Sequence, residues 1–173
     1  MPNFDSFADD LRETLPSTVA DAIVAAPLQS LGEGPADTTL SSLLNSGSTV
    51  KGIRDVAGVR SDEVLSALWL AAGDLDRSHT LSQSIENADG SYLHGIMHRR
   101  EGDFGNAKYW FRRAGNHSIV DVVAAQAGPL FTDPTTFADQ CQQALSRGDS
   151  DTIDALRQAQ WIELQAMIRW LTA

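Results

Sequence analysis

Three of the four histidines in this 173-residue chain fall within twenty residues: His79, His94 and His98, with His117 further on. His94 and His98 are four apart, so on a helix they share one face, and Glu101 extends that face by three. Upstream, Asp76, His79, Gln83 and Glu86 are spaced 3, 4 and 3, a second single-faced stripe. If the two segments are helices packed antiparallel, the stripes meet, and three chemistries are open to the seam. One is a hydrogen-bonded network in which Gln83, Glu86 and Glu101 supply the partners that buried ring nitrogens need. A second is a divalent metal held by His79, His94 and His98, with Glu101 or Glu86 activating a water. The third is a metal-free pocket whose histidines act as general acid and base or bind a ligand. The string HGIMH carries Gly95 where the HExxH zincin motif has its glutamate, so that signature is absent. The catalytic candidates are therefore His79, His94, His98 and Glu101. No cofactor is expected, although the seam is compatible with a divalent metal.

A second concentration is cationic. Arg99, Arg100, Lys108, Arg112 and Arg113 lie within fifteen residues, opposed only by Glu101 and Asp103, in a chain whose net charge is −10. Guanidinium groups grip carboxylates and phosphates in pairs of hydrogen bonds. Gln83, Arg99, Arg100, Asn106, Lys108, Tyr109, Arg112, Arg113 and His117 are thus the candidate lining for an anionic small molecule or an acidic peptide segment. Pairing with the chain's own carboxylates is the competing use. Arg99 and Arg100 also close a helix, where the dipole favours cations. Tyr109, Trp110 and Phe111 interleave with the charges, Phe111 reading as core. Cys141 and His117 can be drawn as a nucleophile pair, but a lone cysteine on an amphipathic helix reads as core.

The elements that must position these groups are helical. Apolar residues recur at helical spacing almost everywhere, and no stretch alternates long enough for a strand. Phe7, Leu11 and Leu15 form a stripe behind Asp5 or Ser6 as caps, stopped by Pro16. A second helix runs from Ser17 to about residue 26. Residues 29–60 are glycine-rich and read as an irregular excursion or lid, with a helical patch near Leu40–Leu44, between an N-terminal hairpin (1–28) and a main body (61–173). In that body helices are expected at about 62–72, 75–86, 91–101, 104–114, 118–127, 135–146 and 150–171. With 42% hydrophobic and 21% charged residues, one folded domain is expected rather than disorder. The longest apolar runs, ALWLAA and AIVAA, fall far short of the ~20 residues that span a bilayer. The acidic start MPNFDSFADD lacks the apolar segment of a signal, and a single cysteine suits a reducing compartment. The chain is expected to be cytoplasmic, with neither a membrane nor nucleic acid as partner. Eleven Arg against two Lys suggest a bacterial, GC-rich source. The stripe Trp161, Leu164, Ile168 and Leu171 is a packing face, conceivably that of a homodimer.

An internal repeat gives the body its order. Gly73-Asp74-Leu75 aligns with Gly102-Asp103-Phe104, 29 residues on, and Leu145-Ser-Arg-Gly148-Asp149 is a third echo. Within the second copy Gly95, His98, Gly102, Phe104, Ala107, Phe111 and Ala114 resemble the tetratricopeptide helix–turn–helix pattern over roughly residues 62–118. His98 replaces its first aromatic, and the spacing is 29 rather than 34. The resemblance implies an all-α domain of antiparallel helical hairpins with tetratricopeptide-like packing. The strings SHTLSQSI, SYLHGIMHRREGDFGNAKYWFRR and GNHSIV also resemble a small group of uncharacterised bacterial and fungal proteins. That likeness covers about residues 65–120, with Leu93 where the group has an aromatic. It marks His79, Gln83, His94, His98, Arg99, Arg100, Glu101, Asp103, Asn106, Lys108, Tyr109, Arg112, Arg113 and His117 as distinctive, without implying a mechanism. The expectation is a helical binding module for an anion. The alternative is a metal-assisted hydrolase using the His79/His94/His98/Glu101 seam.

Overall fold

The computed structural model describes residues 4–173, with side chains from Ser6 onward. Among the described residues the chain is all-helical, with no strand: α1 (Phe4–Thr14), α2 (Ser17–Ala25), α3 (Thr38–Leu44), α4 (Gly47–Ala57), α5 (Ser61–Ala72), α6 (Leu75–Ser82), α7 (Ala88–Glu101), α8 (Phe104–Ala114), α9 (Ile119–Ala127), α10 (Pro134–Arg147) and α11 (Ser150–Thr172). Short 3-10 turns follow α4 and α9. α1 already includes Asp5 and Ser6, the expected caps, and starts at the edge of the described residues.

The repeated Gly-Asp pair is a corner built twice. Gly73 (φ +83°) and Gly102 (φ +91°) end α5 and α7 in the left-handed region, where a Cβ would be strained. Asp74 and Asp103 then cap α6 and α8, their carboxylates accepting from the Arg77 and Asn106 backbone N–H groups. Such a corner folds each helix back on its predecessor, so α5 packs on α6 and α7 on α8. Gly95 permits the closer approach: a Cβ there would sit 2.7 Å from the Phe111 ring. The third echo is used differently, with Gly148 ending α10 at φ +68° before the long α11.

Two expected boundaries move. α6 stops at Ser82 rather than 86, because Asn87 caps α7, accepting from the Gly90 N–H and donating its amide to Glu63. α7 accordingly starts at Ala88 rather than 91. Residues 29–60, expected as an irregular excursion, contain α3 and α4, and Leu31, Leu40, Leu44 and Ile53 are at most 3% exposed. Their apolar side chains are part of the core, so this segment is a wall of the domain. Asp37 caps α3, and its own N–H donates to the Ala72 carbonyl at the end of α5.

At the centre lie α5, apolar around its circumference, and α7, buried from Gly90 to Arg100 although it carries two histidines and two arginines. A polar helix in that position has to find partners inside the protein. Arg99 finds Glu163 of α11, both side chains being fully buried; Nη2 and Nη1 donate to the two carboxylate oxygens at 2.5 and 3.2 Å. Tyr92 donates to Glu163 Oε1 at 3.0 Å, and Gln160 Oε1 accepts from Arg99 at 3.4 Å. The guanidinium lies 4.6 Å over the Phe137 ring, so α10 joins the same cluster. The Leu164, Ile168 and Leu171 stripe is buried within the chain, and Trp161 meets Phe7 edge-on at 5.9 Å.

Replacing Glu163 by Gln leaves Arg99 charged and buried without its counter-ion. The expected loss is about 3–5 kcal/mol in urea unfolding, far beyond a surface pair. A loss under about 1 kcal/mol would show that the pair does not organise the core.

Candidate functional site

The histidine seam assembles from three helices. His79 comes from α6, His94 and His98 from successive turns of α7, and Trp110 from α8. The His94 ring is sandwiched, 4.0 Å from Trp110 and 4.6 Å from His98, nearly parallel to both. His79 closes the group at 4.8 Å from His94 and 5.4 Å from His98, between ring centroids. One ligating atom from each of the three histidines lies within 4.8 Å of the others.

The rings differ in how their nitrogens are used. His98 Nδ1 pairs with the Glu101 carboxylate one turn on, and Nε2 lies 3.0 Å from the Asn106 amide nitrogen. With the proton on Nδ1, His98 donates to Glu101 and accepts from Asn106, a single consistent tautomer. His94 is 4% exposed, and neither of its nitrogens has a hydrogen-bond partner. Burial, reinforced by the charges His98 and His79 would carry, pushes its pKa down to about 4. His94 is thus a neutral imidazole at pH 7 with an unshared lone pair in a buried seam. Gln83 and Glu86, expected to serve these rings, lie beyond the end of α6, are exposed, and hydrogen-bond to none of the three.

The cations of residues 99–113 diverge instead of converging. Arg99 is spent on Glu163, and Arg100, 2% exposed, donates Nη1 to the Leu70 carbonyl at the end of α5. Lys108 pairs with Asp139 at 2.6 Å. The Arg113 guanidinium sits 5.2 Å over Trp110, and Tyr109 is half exposed against the edge of the same indole. Arg112 is exposed and borders a cavity of about 690 Å³ shared with Asn116, His117, Asp121 and Asp133.

His117 belongs to a separate cluster. Its Nε2–H donates to Asp89 at 2.8 Å, its Nδ1 accepts from the Ile119 N–H, and Trp170 donates to the same Asp89 oxygen at 2.7 Å. Burial raises the Asp89 carboxyl, but those hydrogen bonds outweigh it and hold the group below its ordinary value. Cys141 stays in the core, its thiol pushed up to about 11 by burial, beyond easy ionisation.

The sequence alone does not single out Glu163 as a support residue, and it reads Trp110 only as a residue that could line a groove beside Tyr109. Glu163 had a signal: it stands seven residues after Leu156 and four before Met167, on an otherwise apolar helix face. An acid in that register is buried and needs a cation. The chain matches no protein-family model, no curated protein and no solved structure.

The depressed His94 pKa fixes the sign of a pH effect. The unfolded chain takes up this proton near 6.5 and the fold refuses it until about 4, so stability is lost as pH falls through that window. In chelator-treated protein the urea midpoint should fall between pH 6.5 and 4, and His94→Phe should flatten that limb. An equally steep limb in the variant would place the titration elsewhere.

Proposed function

We propose that this chain is a divalent-metal protein whose ion is held by His79, His94 and His98, with metal-assisted hydrolysis as its reaction class. The observation that carries the reading is His94: a buried imidazole with two unpartnered nitrogens, in a ring of three histidines. A structural network would have satisfied it, since a lost hydrogen bond in the interior costs about 1–3 kcal/mol. A metal uses the lone pair that no protein donor takes up. Bound zinc at ~2.0–2.1 Å from each nitrogen brings the nitrogens to roughly 3.4 Å apart. The His94 and His98 rings are stacked nearly parallel, so His98 and His79 would have to turn toward His94 to share one ion.

The chemistry of the donor set favours a working ion over a scaffold ion. Structural zinc sites close with four protein ligands, whereas three leave a position for water. Nitrogen donors suit zinc, nickel, copper or ferrous iron over magnesium and calcium. Glu101 acts on His98 from behind: accepting the Nδ1 proton fixes the tautomer that presents Nε2 as the ligand. Asn106 would then turn its amide aside. A water on the ion would be acidified toward neutrality and serve as the nucleophile. The Trp110 face keeps His94 in its rotamer.

Elemental analysis of untagged protein should find one transition metal per chain. Zinc or cobalt added to stripped protein should raise Tm by about 5–10 °C at a hundredfold excess over Kd. His94→Ala should abolish this, and Glu101→Gln should weaken metal affinity by about 10–100-fold. A metal-dependent turnover of activated esters or phosphate esters would establish the hydrolase. A Tm indifferent to zinc, cobalt, nickel and ferrous iron would end the metal reading.

A further inference from the structure

Arg100 is a second incompletely partnered group, separate from the histidines. It is 2% exposed and has no carboxylate partner. Nη1 is spent on the Leu70 carbonyl at 2.7 Å, but Nε and Nη2 are buried without a hydrogen-bond partner. The neighbouring Arg99 is equally buried and pairs with Glu163, so the contrast lies in the surroundings of the two side chains. Burial, helped by the neighbouring Arg99 charge, pushes the Arg100 pKa down to about 10, so at neutral pH the guanidinium is still protonated. The α5 C-terminus offers about half a unit of negative charge, which leaves the remainder uncompensated.

The surroundings supply room for a counter-ion. Arg100 borders a cavity of about 440 Å³ under the segment Ser30–Glu33, and Arg157 of α11 lines the same cavity. A further void of about 10 Å³, between Gln29, Gln160 and Trp161, also touches both arginines. The roof is fastened from below: Arg157 donates to the Leu28 and Gln29 carbonyls at 2.6 and 3.0 Å, and Gln160 donates to Ser30 at 3.0 Å. Loop backbone anchored by two α11 side chains forms one wall of this cavity, which is broadly open to solvent. Its acidic neighbours, Glu33 and Glu101, are exposed, and Glu101 is engaged with His98.

We propose that this cavity is a binding site for a small oxyanion, a phosphate, sulfate or carboxylate group, held by the free Nε and Nη2 of Arg100. Those two donors are the adjacent edge of the guanidinium fork, which matches a pair of oxyanion oxygens. Arg157, paired with Asp154 at 2.8 Å, lines the same cavity, and the 28–33 segment limits the ligand to one of modest size.

The test uses stripped full-length protein at constant ionic strength, with phosphate, sulfate, succinate and chloride as probes. Phosphate, sulfate or succinate should raise Tm by about 5–10 °C at a hundredfold excess over Kd, with chloride inert. The Arg100 Nε–H resonance of nitrogen-15-labelled wild type should shift in the same titration, a readout needing no variant. Arg100→Gln should abolish the response, while Arg112→Gln should leave it intact. Loss of the response in Arg112→Gln would move the anion to the other cavity and overturn the proposal. A response appearing only in Glu33→Gln would show that the chain's own carboxylate fills the place, overturning an external ligand. No shift in either Tm or the Arg100 resonance would do the same. None of these outcomes depends on whether zinc binds.

Discussion

The buried Arg99–Glu163 pair is the constraint on which the rest of the arrangement depends. It joins the last turn of α7 to the middle of α11, 64 residues apart in sequence. Tyr92 and Gln160 complete the carboxylate and the guanidinium, and Phe137 covers the cation. Burial opposes the Arg99 charge, but the facing carboxylate more than restores it, and its pKa rises. A pair of this kind adds little net stability over an apolar substitute, yet it is severe on any arrangement that separates the partners. It therefore selects one rotation of α7 about its axis. That rotation decides where every other polar side chain of the helix points.

From Arg99 the neighbouring directions follow at 100° per residue. His98 turns toward α6 and α8 and joins the seam; His94, one turn earlier, stacks on it. Arg100 turns toward the end of α5 and the 28–33 segment. Glu101 reaches back to His98 from the last turn. Four consecutive residues thus serve the histidine seam, a core ion pair, a contact with the end of α5 and a supporting hydrogen bond. Gly95 is what lets α8 close on this helix, bringing Trp110 onto His94.

Much of this was legible in the sequence because the corners are chemically explicit. Gly73-Asp74 and Gly102-Asp103 state a helix end and a helix start in two residues, so the elements from Ser61 onward fall close to their expected positions. The histidine stripes were legible for the same reason, since helical spacing alone puts His94 beside His98. In the segment 29–60 only the helical patch near Leu40–Leu44, which is α3, was; α4 was not. Gly47 and Gly52 lower its local helix propensity, and only tertiary burial of Leu40 and Ile53 makes α3 and α4 worthwhile. Nor could local spacing pair Arg99 with Glu163, because that contact is long-range.

The same geometry explains why a basic run in the sequence does not become a basic surface. Adjacent arginines on a helix point about 100° apart, so Arg99 and Arg100 cannot grip one ligand from a central helix with neighbours on all sides. On α8, Lys108 and Arg112 share a stripe, but Asp139 of α10 claims the lysine while Arg113 lies over Trp110. A charge cluster along a chain becomes a site only if the packing leaves donors without partners. By that criterion Arg100 stands out in the run of five cations, a buried guanidinium with two unpartnered nitrogens and no carboxylate beside it. His94 meets the criterion among the histidines, with neither its N–H nor its lone pair partnered. His94 and Arg100 lie six residues apart on α7, in the stretch buried from Gly90 to Arg100.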